Sequence, residues 1–136
     1  MSFLLDTNIV SELRKGVRCN RGVAIWHRSL AADSSYLSVL VVGELRRGVE
    51  LLRRRDPSSG ARLDQWLDRL AADYAERLLP VDASVADCWG RLSVPDPVPA
   101  VDGLMAATAL VHDLTLVTRN TADVGRTGAR LLNPFD

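Results

Sequence analysis

Four acidic residues lie where the surrounding sequence predicts buried structure, and they are the residues of this chain best suited to chemistry. Asp6 follows the apolar run 3–5, and Glu44 interrupts an apolar stretch. Asp102 opens a segment rich in small and apolar residues, and Asp123 follows a strand-like segment. Because burying unpaired charge is costly, carboxylates beside buried segments need partners. The economical partner for several converging carboxylates is a hard divalent cation such as Mg²⁺ or Mn²⁺.

Carboxylates that hold divalent cations are suited to the hydrolysis of phosphodiester bonds. This reaction needs an activated water and stabilisation of the charge that develops on the phosphate and the leaving group, and divalent cations supply both. Because Mg²⁺ keeps several of its own waters, three or four carboxylates suffice to hold it. Without metal, the same acids would repel one another and some would take up a proton. The leading hypothesis is therefore a metal-dependent phosphodiester hydrolase.

Each of the four acids also has a structural alternative. Asp6 and Asp102 stand near predicted helix starts, where aspartate is a good N-cap. Asp123 is predicted to lie in a polar loop and could serve only to form a turn. Glu44 could form a local ion pair with Arg47, although exposed pairs of this kind are weak.

The composition limits the class of protein. A chain of 136 residues with 47% hydrophobic and 25% charged residues is typical of one soluble domain with a single core. No apolar run approaches the ~20 residues that cross a bilayer, and no basic region precedes the first apolar segment, so we expect a cytoplasmic protein with neither signal peptide nor anchor. Cys19 and Cys88 are expected to be free thiols. The wide separation of His27 and His112 argues against zinc.

The cations are almost all arginine, with Lys15 the only lysine. A formal net charge of zero argues against strong global steering toward nucleic acid. Arginine nevertheless suits phosphate oxygens, and Arg46, Arg47 and the run 53–55 follow Glu44. Arg46 and Arg47 are therefore candidates to guide a phosphate backbone, with a solvated helix face as the alternative.

Short strands alternate with helices along the chain. Strands are predicted at 4–5, 36–37, 78–81, 114–118 and 132, and helices at 8–15, 22–32, 39–55, 62–75, 83–92 and 102–112. Ser38 and Asp82 are predicted N-caps, 56–60 a loop, and the proline-rich 95–99 a non-helical connection. This order predicts a short parallel sheet flanked by helices in a three-layer α/β/α arrangement. Because ligands collect beyond the carboxyl ends of such strands, the four acids are expected to converge at that edge.

These residues also carry a resemblance to a known family. The motifs are 4–15, 42–48, 79–82, 89–92, 102–110, 116–120 with Asp123, and 128–135. Each motif is weak alone, but together and in order they are specific. The chain resembles a PIN-domain ribonuclease of the VapC/FitB toxin type, and the resemblance runs over nearly all of 1–136, which implies a single PIN domain.

The resemblance implies a Mg²⁺- or Mn²⁺-dependent endoribonuclease whose acidic cluster is Asp6, Glu44, Asp102 and Asp123. It implies roles near that cluster, in supporting the acids or orienting the substrate, for a set of polar residues: Thr7, Asn8, Thr118 and Asn120. Such toxins usually cut tRNA or rRNA, form homodimers, and are silenced by a cognate VapB-like antitoxin that covers the active-site groove. Arg46 and Arg47 would then contact the RNA backbone.

The sequence departs from the family pattern at two positions. Val124 stands where an aromatic residue often follows the last acid, and Gly103 stands where alanine commonly follows Asp102. Neither change removes a carboxylate, so we expect activity to survive.

Other functions are weaker fits to the sequence. A PIN-like domain that binds RNA or protein without cleaving has no need to keep four acids together. A phosphoacceptor domain or phosphohydrolase would need a second aspartate or a pocket lysine that this chain lacks. Trp26, Trp66 and Trp89 could stack on bases, but packing is the expected role of such large aromatics. We assign no catalytic role to His27 or His112.

Overall fold

The computed structural model describes residues 1–136 and consists of five short strands and seven α-helices. The strands are β1 (Phe3–Leu5), β2 (Ser35–Ser38), β3 (Leu78–Leu79), β4 (Thr115–Val117) and β5 (Leu131–Leu132). The helices are α1 (Thr7–Leu13), α2 (Arg21–Arg28), α3 (Val39–Arg55), α4 (Pro57–Asp73), α5 (Ala83–Leu92), α6 (Ala100–Val111) and α7 (Thr121–Val124). No helix is long and apolar enough to span a membrane.

All strand pairs are parallel, and the sheet order is β3-β2-β1-β4-β5. The N-terminal strand β1 is therefore the centre of the sheet, with Leu4 aligned with Tyr36 on one side and Leu116 on the other. Leu4 and Leu5 are fully buried. The predicted α/β class and parallel sheet flanked by helices are confirmed.

Two N-caps predicted from the sequence are present. Ser38 ends β2 and its side chain accepts a hydrogen bond from the backbone N–H of Leu40, so α3 begins at Val39. Asp82 accepts from the backbone N–H of Val85 and starts α5.

The loop predicted at 56–60 is wrong, because a helix begins there. Asp56 caps α4 by accepting from the N–H and the hydroxyl of Ser59, and Pro57 takes the first helical position, where its missing N–H costs nothing. Gly60 permits a close approach of α4 to α3, since a Cβ there would come within 2.6 Å of the Arg53 Cα. The turn-like composition thus serves a helix start and a tight helix pair.

Candidate active site

Asp6 lies at the carboxyl end of the central strand, where several donors hold its carboxylate. Oδ1 accepts from the backbone N–H of Thr7 at 2.7 Å, and Oδ2 accepts from the Thr118 hydroxyl at 2.8 Å. Asn8 Nδ2 lies 3.4 Å from the same Oδ2. Asp6 is only 8% exposed, so these donors replace water that the carboxylate loses. Asp6 is therefore the N-cap of α1 and also part of a buried polar network.

The predicted supporting residues connect α1 to the loop after β4. The Thr118 hydroxyl, which donates to Asp6, accepts from the backbone N–H of Asn120 at 3.0 Å. The Asn8 side-chain oxygen accepts from the backbone N–H of Arg119 at 3.1 Å. Thr118 is 1% exposed, so its hydroxyl is fixed by these partners. Asn8 and Thr118 thus position Asp6 from two elements, and Asn120 joins through its backbone.

Glu44 reaches the same network from α3. Its Oε1 accepts a hydrogen bond of 2.6 Å from the hydroxyl of Thr7, the first residue of α1. Glu44 takes part in none of the ion pairs of the structure, so the alternative of a local pair with Arg47 is wrong. Its partner lies 37 residues away in sequence.

Asp102 is half-buried and is the third residue of α6, not its cap, because the helix begins at Ala100. Burial raises the pKa of Asp102 above its ordinary value, and the negative charges of Asp6, Asp123 and Glu44 raise it further. Asp6, Asp123 and Glu44 therefore each lie close enough to Asp102 to repel its negative charge. Asp123, which was expected in a loop, lies exposed in the short helix α7.

No cation neutralises the four acids, since none of the nine ion pairs includes any of them. In the present side-chain arrangement no group of three or more His, Cys, Asp or Glu side chains could hold a metal ion. A Mg²⁺ ion does not require such a cage, because it is often held by one or two carboxylates and keeps several waters. The donor chemistry therefore suits a hydrated divalent cation, while the identity of the direct ligands stays a prediction.

Gly103 has a packing reason in this structure. A Cβ at Gly103 would lie 2.9 Å from Cδ1 and 3.0 Å from Nε1 of Trp89, which α5 places against α6. The Trp89 indole N–H is buried and has no hydrogen-bond partner. The large ring therefore occupies the space that an alanine side chain would need. Trp26 also packs, edge-on against Phe3 with ring centroids 5.4 Å apart.

Arg46 is engaged inside the α3–α4 pair. Its guanidinium lies 3.0 Å from Asp64, 3.5 Å from Glu50 and 3.8 Å from Asp68. Arg47 is exposed and forms no ion pair. Much of the Arg46 charge is therefore balanced by its own fold, and its contact with RNA stays a prediction.

One cation beside the acids was not singled out from the sequence. Arg119 lies between Thr118 and Asn120, and its guanidinium stacks on the Phe135 ring at 4.6 Å from the centroid. Its position within the motif 116–120 was the available signal. Its backbone N–H donates to Asn8 beside Asp6, and its guanidinium forms no ion pair with any of the four acids.

Comparison with known proteins identifies the family. The PIN domain family matches residues 3–127, a range that includes all four acids. This chain belongs to the PIN domain family. That the PIN domain takes in all of 1–136 stays a prediction.

The chain is similar over nearly its whole length to proteins named as a toxin and a ribonuclease. It is 35% identical over 139 aligned positions to toxin FitB of Neisseria gonorrhoeae, covering 97% of each chain. It is 32% identical to VapC ribonuclease Y4jK of Sinorhizobium fredii, covering 98% of this chain and 97% of that protein. The crystal structure of FitAcB from Neisseria gonorrhoeae superposes with a TM-score of 0.87 at 34% identity, covering 97% of each chain.

Proposed function

We propose that this PIN domain is an endoribonuclease that requires Mg²⁺ or Mn²⁺ and is the toxin of a VapBC-type toxin–antitoxin pair. The observation that carries the proposal is a cluster of four carboxylates with no cation in contact, at the edge of a parallel sheet where ligands bind. Uncompensated negative charge of this kind lowers the stability of the fold, and such groups cluster at functional sites. The name of the VapC ribonuclease relative supports the same reaction class, and the name of toxin FitB supports the role of a toxin.

A divalent cation held by these carboxylates would supply an activated water and would stabilise the charge that develops on the phosphate. We propose Asp6 and Asp102 as its direct ligands, because Asp6 is buried and Asp102 half-buried, whereas Glu44 and Asp123 are exposed. Glu44 would bind the ion or position the attacking water. Asp123, which is exposed, would act through water or at a second ion.

The polar residues would keep the acids in place during the reaction. Thr118 and Asn8 hold the Asp6 carboxylate, and Thr7 holds Glu44. Their hydrogen bonds fix the position and orientation of each carboxylate. Asn120 would orient substrate near the same edge.

The proposed partners are RNA, most simply tRNA or rRNA, and a cognate antitoxin over the active-site groove. Two structural neighbours support an antitoxin partner. One is FitAcB, and the other is FitAB bound to a DNA fragment, which superposes with a TM-score of 0.82 at 32% identity. A homodimer is also proposed, on the family resemblance. The competing function is a PIN-like domain that binds RNA or protein without cleaving it.

The test compares wild type with Asp102→Asn and with Asp87→Asn, which removes the same charge from an exposed site on α5. Each protein, shown free of antitoxin and folded by circular dichroism, is incubated with total tRNA and rRNA in Mg²⁺, Mn²⁺ or EDTA. We expect discrete fragments from wild type and Asp87→Asn only when metal is present, and none from Asp102→Asn. Wild-type activity in a folded Asp102→Asn protein would refute the assignment of Asp102 as a metal ligand.

If no protein cleaves either RNA pool under any condition, the binding function is favoured instead. Isothermal titration with Mn²⁺ then separates the two functions, because a nuclease site should bind the ion in wild type and lose affinity in Asp102→Asn.

A further inference from the structure

A basic groove of about 460 Å³ lies between the end of α1 and one face of α4. Five cations line it, namely Arg14, Lys15, Arg18, Arg62 and Arg69. The other two lining residues are Gln65 and Trp66, and no acid is among them. The α4 residues recur at helical spacing, so they share one face of that helix. This concentration of charge contrasts with a formal net charge of zero for the chain.

The arginines of this basic groove are not neutralised by the fold. Arg14, Arg18, Arg62 and Arg69 take part in none of the ion pairs, and only Lys15 has a carboxylate partner, Glu12 at 3.0 Å. Two of the three acids of α4, Asp64 and Asp68, point elsewhere, and the third, Asp73, ends the helix one turn beyond Arg69 and forms no ion pair.

Asp64 and Asp68 lie on the opposite face of α4. Asp64 bonds Arg53 at 2.7 Å and Arg46 at 3.0 Å, and Asp68 also lies near Arg46. Helix α4 therefore directs Asp64 and Asp68 toward α3 and leaves Arg62 and Arg69 without ion pairs on the side of the basic groove. Clustered arginines without carboxylate partners are available to bind an anion from outside the chain.

An aromatic ring lies among these cations. Trp66 is half-buried, and the Arg14 guanidinium is 5.6 Å from the centroid of its ring. Arginines that track phosphates, together with an aromatic surface on which a base can stack, are the combination that binds single-stranded nucleic acid. An acidic peptide would use the charges but not the ring.

The basic groove is connected to the acidic cluster through α1. That helix begins beside Asp6, and Arg14 lies eight residues further on, which is about 12 Å at the helical rise. The backbone N–H of Asn20 lowers the pKa of Glu12 most, and the charges of Lys15 and Arg119 add to it. Arg119, whose backbone N–H bonds Asn8 beside Asp6, thus also acts on Glu12 in the same helix.

We infer that this basic groove binds the sugar–phosphate backbone of single-stranded RNA beside the cleavage site. The inference rests on the proposed function and assigns the backbone contact to the α1–α4 face, whereas the sequence suggested Arg46 and Arg47 on α3. Arg46 already has three carboxylate neighbours, while Arg18 and Arg69 have none.

The test measures binding without cleavage, in an Asp102→Asn background with EDTA. The groove pair is Arg18→Gln with Arg69→Gln. The control pair is Arg54→Gln with Arg55→Gln, which removes the same charge from exposed, unpaired arginines at the end of α3. Fluorescence anisotropy with a labelled oligouridylate gives the Kd over a series of salt concentrations.

We expect the groove pair to raise the Kd by roughly tenfold at low salt and to reduce the slope of log K against log salt by about 1.4, at ~0.7 for each lost phosphate contact. The control pair should change both much less. Replacing Arg18 and Arg69 by lysine should keep most of the affinity, since the charge remains, and this separates loss of charge from damage to the fold.

Equal effects of the groove and control pairs would overturn the inference, because binding would then follow total charge. Unchanged affinity for oligouridylate with weakened binding of a poly-glutamate peptide would also overturn it and would assign the groove to an acidic protein segment.

The same variants with Asp102 restored separate this inference from the proposed function. If wild type cleaves RNA, the groove pair should raise KM and leave kcat unchanged. If wild type cleaves nothing but the groove pair still weakens oligouridylate binding, the nuclease proposal fails and the groove stands.

Discussion

Replacing Gly103 by alanine should destabilise this protein, although alanine suits a helix better than glycine does. The new Cβ would lie 2.9 Å from Cδ1 and 3.0 Å from Nε1 of Trp89, closer than such contacts allow. Overpacking of this kind costs ~1–3 kcal/mol, while the gain in helix propensity is ~1 kcal/mol. The net change in the free energy of unfolding is therefore a loss of ~0–2 kcal/mol.

A matched glycine isolates the steric cost. Gly48 lies inside α3, and a Cβ there would meet no heavy atom within 4 Å. Gly48→Ala should therefore stabilise the protein by ~1 kcal/mol, and the difference between the two variants should be the ~1–3 kcal/mol of overpacking alone. Urea unfolding followed by circular dichroism measures both values.

The Trp89 ring supplies the second half of this test. In a Trp89→Phe background the ring is smaller, so adding the Cβ at Gly103 should cost less than in wild type, and the double-mutant cycle reports that coupling. Equal unfolding free energies for Gly103→Ala and Gly48→Ala would refute the close contact between Gly103 and Trp89.

Two further variants test the electrostatics and the hydrogen bonds of the acidic cluster. Because the pKa of Asp102 is raised in the folded state by burial and by Asp6, Asp123 and Glu44, its ionisation costs stability as pH rises above the ordinary value of 3.8. In EDTA at pH 7, Asp102→Asn should therefore have a higher melting temperature than wild type. The two melting temperatures should converge as the pH falls toward 3.8. A lower melting temperature for the variant at pH 7 would contradict the repulsion. Thr118→Val should lose ~1–3 kcal/mol in urea unfolding, because the buried Asp6 carboxylate loses a donor at 2.8 Å, and a variant as stable as wild type would show that the bond contributes nothing.

Local signals in the sequence were sufficient where one residue decides the structure. Ser38 and Asp82 start α3 and α5 because their side chains accept backbone N–H groups three or fewer residues ahead. The alternation of strands and helices was also sufficient to predict the parallel sheet, since each strand needs a covering helix.

The sequence failed where a distant contact gives a residue its role. Pro57 and Gly60 look like turn residues, but the first opens α4 and the second lets that helix approach Arg53. Glu44 looked able to pair with Arg47, but it accepts from Thr7, 37 residues away. The assignment of Asp102 as a possible cap failed because the helix starts two residues earlier, at Ala100, with Pro99 in the N-cap position.

The central place of β1 in the sheet has a consequence during synthesis of the chain. Phe3 aligns with Thr115 across 112 residues, and Asp6 receives its donor from Thr118 across the same interval. A growing chain that ends after α4 therefore has an unpaired edge on β1 and lacks Asp102 and Asp123. On the proposed function, the nascent chain has no nuclease activity until its last quarter has left the ribosome and folded. A co-expressed antitoxin can therefore be present before the active site forms.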